Sequence, residues 1–62
     1  MSTSTLNINE LEQVYDHLAK GITAAGNEKE ALFLTKLALL LANQVGNGDQ
    51  VVASIDEALK NL

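Results

Sequence analysis

The chain has 62 residues, with eight acidic and four basic side chains, a net charge of −4 and no cysteine. That length allows one domain, which would bury only about 60 % of the surface its unfolded chain exposes. Without cysteine there is no disulfide or thiolate zinc site, and an acidic chain with four lysines and no arginine repels nucleic-acid phosphates and anionic membrane surfaces.

The apolar fraction is 47 %, rich in Ala and Leu, with one Phe, one Tyr, no Trp and no Pro. This composition favours helix over strand and argues against disorder. The opening MSTST lacks the basic start and apolar core of a signal peptide, so residues 1–6 are expected to form a flexible tail before a single domain over 7–62. The densest apolar run, Leu37 to Ala42, is interrupted upstream by Lys36 and falls far short of the roughly 20 residues a transmembrane helix needs. The expected location is the cytoplasm.

Three helices are expected, near 8–25, 28–45 and 49–61. LNINEL opens the first: Asn7 is placed to cap it, Glu10 to complete a capping box, and Leu6 and Leu11 to staple the entry. Leu11, Val14, Tyr15, Leu18, Ile22 and Ala25 follow at helical spacing, and Gly26 is the expected left-handed stop. Asn27 and Glu30 repeat the capping-box pattern for the second helix, which Gly46 ends. In GNGDQ, Asn47 or Asp49 caps a third helix carrying Val51, Val52, Ile55, Ala58, Leu59 and Leu62. Loops this short imply antiparallel neighbours. The fold class is therefore all-α: three short antiparallel helices in a small bundle, completed by oligomerisation or a partner.

The second helix is unusual. Leu34, Leu37, Ala38, Leu41, Ala42 and Val45 make one clean face, expected to be the core, and Phe33 and Leu40 widen it. Leu32 and Leu39 fall on the opposite side, seven residues apart, among Glu28, Thr35, Lys36 and Asn43. One reading is a central helix touched by both neighbours. The other is a protein interface formed by Leu32, Thr35, Lys36, Leu39, Leu40 and Asn43, with a second copy as the expected occupant and Lys36 meeting its Glu28 or Glu30.

No catalytic constellation is visible, so the chain is not expected to be an enzyme. His17 is the lone imidazole and lies on the polar flank of the first helix, without a second His, a Cys or an Glu-x-x-His spacing. The acidic pairs Glu10/Glu12, Glu28/Glu30 and Asp56/Glu57 are one or two residues apart and so do not share a helix face. The loop GNGDQ lacks both the Lys-Ser/Thr of a phosphate loop and the spaced Asp ligands of a calcium loop. No cofactor and no metal is expected. The leading expectation is a non-enzymatic interaction module, as a homodimer or as an accessory subunit docking on a larger bacterial protein. The alternative is a small-molecule binder with a site between helices of an oligomer, using Tyr15, His17, Asn43 and Gln44 as its few polar groups.

From Tyr15 to Asn47 the chain resembles, without a gap, a small bacterial family labelled domain of unknown function 2783. Tyr15 and Leu18 fall on that family's Tyr-x-x-Leu, and Leu37, Leu39, Leu40, Leu41, Ala42, Asn43 and Gly46 on its Leu-Leu-Leu-Ala-Asn-x-Ile-Gly signature, with Val45 and Asn47 as close replacements. Lys36 stands in place of the family's Arg, Gln44 in place of its His, and Ile22 in place of a further His. The resemblance implies a short helical bacterial protein with an accessory role, and it implies no reaction.

Overall fold

The computed structural model describes residues 5–62, so residues 1–4 of the expected tail lie outside the described residues. Three helices follow in order: α1 (Ile8–Ala25), α2 (Glu30–Val45) and α3 (Gly48–Ala58). There is no strand among the described residues, and the chain is a small all-α bundle.

The first helix begins as its sequence dictates. Asn7 Oδ1 accepts the Glu10 N–H at 2.8 Å, and Glu10 Oε1 accepts the Asn7 N–H at 3.1 Å, so both halves of the capping box form. The third helix is capped by Asn47, whose Oδ1 accepts the Gln50 N–H at 3.1 Å. It ends at Ala58, shorter than expected, because the chain tightens into a turn there and Asn61 takes a left-handed backbone with φ 61.

The start of α2 departs from expectation. The Lys29 N–H bonds to the Gly26 carbonyl at 3.0 Å, closing a reverse turn with Asn27 and Glu28 in its interior. Asn27 is thereby spent on the turn, and α2 starts at Glu30 with Lys29 as a cap that makes no side-chain bond. Gly26 sets this geometry: its φ 83, ψ 163 lies in a region open essentially only to glycine, not in the left-handed helical region expected of it. Gly46 does adopt the left-handed cap, with φ 71, ψ 18, and donates to the Ala42 carbonyl at 3.0 Å. Substitution by Ala should follow these bonds. Asn7→Ala and Asn47→Ala should each cost about 1 kcal/mol in urea denaturation, and Asn27→Ala less than about 0.5 kcal/mol.

Helix α1 packs on α2 and α2 on α3, while α1 and α3 do not meet. The bundle is therefore open. Its radius of gyration is 12.9 Å, against about 10.6 Å for a compact chain of this length. No side chain among the described residues is fully buried. Burial is partial and gathers at the two turns: Leu18, Gly21, Ile22 and Ala25 from α1, Glu30, Phe33, Leu37 and Ala42 from α2, and Val51 from α3. The clean face expected to be a core is consequently not one within a single copy. Leu34 remains 38 % exposed and Leu41 49 %, because α1 and α3 sit to either side of that face without closing over it.

Candidate functional site

Two apolar hollows flank α2. The larger, of about 420 Å³, lies where α1 ends against α2 and is lined by Ala25, Lys29, Leu32, Phe33, Lys36, Leu37 and Leu40. The smaller, of about 260 Å³, lies between α2 and α3, along Leu41, Ala42, Val45, Val51 and Ile55.

The larger hollow is built around a helix–helix contact. A Cβ added to Gly21 would stand 2.5 Å from Cζ of Phe33, so the ring tip occupies the space a side chain on α1 would fill. Glycine inside a helix costs about 1 kcal/mol relative to Ala, and here it admits the aromatic ring between the helices. Phe33 forms one wall of the groove, and Leu37, also half-buried, continues it. Lys29 and Lys36, seven residues apart, supply the only charge in the lining. Neither makes an ion pair among the described residues, where the single salt bridge joins Lys60 to Glu57 at 3.2 Å in full solvent.

The sign of a substitution at Gly21 depends on that ring. Gly21→Ala should destabilise the protein by about 1 kcal/mol, since forcing the ring aside costs more than the helix gains. In a Phe33→Ala background the same change should stabilise by about 1 kcal/mol. A double-mutant cycle in urea checks the reversal.

Of the expected interface residues, the structure brings Leu32, Lys36 and Leu40 together in this groove. Thr35, Leu39 and Asn43 lie outside it. The Thr35 hydroxyl donates to the Ala31 carbonyl at 2.8 Å, and Leu39, on the same stripe as Leu32, is 67 % exposed. Sequence reasoning missed Ala25, Lys29, Phe33 and Leu37 as groove residues. The available signal was Gly21 in mid-helix, an invitation to a large side chain from the neighbouring helix. The polar groups of the small-molecule reading, Tyr15, His17, Asn43 and Gln44, line neither hollow. Among the described residues no group of three or more His, Cys, Asp or Glu side chains is placed to hold a metal. No helix there is long and apolar enough to cross a membrane.

The fold and groove define a small, open, three-helix chain with apolar surface on several sides. Compared with known protein families, with functionally described proteins and with solved structures, the chain finds no match.

Proposed function

We propose that this chain is a non-enzymatic protein–protein interaction module: a homodimer, or an accessory subunit on a larger bacterial protein, acting in the cytoplasm. The resemblance to the small bacterial family along Tyr15 to Asn47 belongs to the same proposal. The observation that carries it is the absence of any fully buried side chain among the described residues, in a chain whose central helix is apolar around most of its circumference. Docking apolar helix faces needs no chemistry, and it uses the residue types present.

The test is apparent stability against concentration, between roughly 1 and 100 µM. Self-association raises the melting temperature with concentration. A chain that depends on another protein melts without cooperativity when alone and binds an apolar dye. A monomer with cooperative, concentration-independent unfolding and no dye binding would sink the proposal.

A further inference from the structure

Resting on the interaction-module reading, we infer that the groove on α2 is filled by a second copy of this chain, and that the segment filling it is the N-terminal half of α1. The first support is area. The chain exposes 5663 Å² at a mass of 6.6 kDa, whereas a compact monomer of that mass exposes about 3,900 Å². Even with a generous allowance for the chain ends, the excess is above about 1,000 Å². That is what each partner of an obligate homodimer buries, since such interfaces total about 2,000 Å² or more.

The second support is the stripe on α1. Ile8, Leu11, Val14, Tyr15, Leu18, Ile22 and Ala25 form one continuous apolar band at helical spacing. Its last two turns meet α2 of the same chain. Its first two turns stay largely open to solvent: Ile8, Leu11 and Val14 are exposed, and Tyr15 is 71 % exposed. A helix face already suited to α2 over half its length is suited to α2 of a second copy over the other half.

The third support is charge. The groove presents Lys29 and Lys36 beside its apolar floor. On the uncovered half of α1, Glu12 flanks the apolar stripe and makes no ion pair among the described residues, whereas Asp16 lies away from the stripe, one turn from Lys20. Each copy thus offers one apolar helix end edged by Glu12 and one apolar groove edged by Lys29 and Lys36. A two-fold axis joins both pairs at once, and such self-complementary pairing is the commonest oligomeric symmetry. Helix α3 is a poorer occupant, because Val51, Ile55 and Ala58 already line the α2–α3 hollow and Glu57 is engaged by Lys60.

A charge exchange tests the assignment. One variant carries Lys29→Glu and Lys36→Glu, the other Glu12→Lys. All three positions are exposed, and helix content by circular dichroism confirms that each variant folds. The wild type should sediment as a dimer. Each variant alone should dimerise at least roughly tenfold more weakly, because like charges then face each other across both contacts. Mixed in equal amounts, the two variants should form a heterodimer near wild-type strength, since every contact again joins opposite charges. Oxidation of Val14→Cys mixed with Leu40→Cys should yield the mixed disulfide, cleanly so in a chain with no other cysteine.

A wild-type dimer whose variants associate unchanged, or whose mixture is not restored, overturns the inference and leaves the interaction-module reading standing. So does a dimer that cross-links through Leu39→Cys to itself, or through Val52→Cys to Leu40→Cys, in place of the Val14 to Leu40 bridge. A monomeric wild type also overturns it. In that case the concentration series of the preceding section decides the broader reading by itself.

Discussion

Replacing Phe33 with Ala should cost this protein about 2 kcal/mol, the largest loss for a single apolar truncation in the chain. A fully buried Phe→Ala change costs about 3–5 kcal/mol, and Phe33 is half-buried. The ring nevertheless fills the notch at Gly21, and glycine has no side chain with which to refill it. A domain of this length has a total stability of about 3–9 kcal/mol. Loss of about 2 kcal/mol therefore removes a large part of it, and the helical signal at 222 nm should fall at a much lower urea concentration than in the wild type. A midpoint unchanged within error would mean that the α1–α2 contact carries no weight.

Introducing a carboxylate at Leu37 should have an effect at least as large. Leu37 is half-buried between Phe33 and the end of α1. Leu37→Asp removes apolar contact there and sets a charge among apolar groups with no partner, which should cost about 2–4 kcal/mol. Leu41→Asp, one turn further along the same face, should cost only about 1 kcal/mol in a single copy, because a half-exposed side chain leaves its carboxylate in water. The sequence pattern treats these two leucines alike, so the difference between their urea midpoints measures the openness of the bundle. Equal losses at the two positions would mean that the face is covered along its whole length.

What could be read from the sequence was what depends on near neighbours. The Asn7–Glu10 box, the Asn47 cap and the left-handed Gly46 are each settled within four residues of chain, and each forms. The pattern at Asn27 and Glu30 is just as good locally, yet it does not form. The turn from Gly26 to Lys29 competes for the same residues, and it satisfies the Lys29 N–H with backbone alone. The groove was legible in part for a related reason. A helical wheel places Leu32, Lys36 and Leu40 on one side of α2, but only the position of α1 turns that side into a groove and adds Ala25 to its lining. The wheel likewise identifies a clean apolar face without saying whether neighbouring helices close over it.

Because α1 and α3 do not meet, nearly every contact in the chain joins residues fewer than 12 apart in sequence. Chains with such local contacts fold in microseconds to milliseconds, since little loop entropy must be lost before contacts form. Each helical hairpin can form without the other, because α2 is the only element they share. If two copies pair as inferred above, their encounter is the slow event in reaching the final state, running from milliseconds to minutes and depending on concentration. The refolding kinetics should accordingly show a fast phase in helix content that is indifferent to dilution, followed by a second-order phase in which the apolar grooves lose their access to dye.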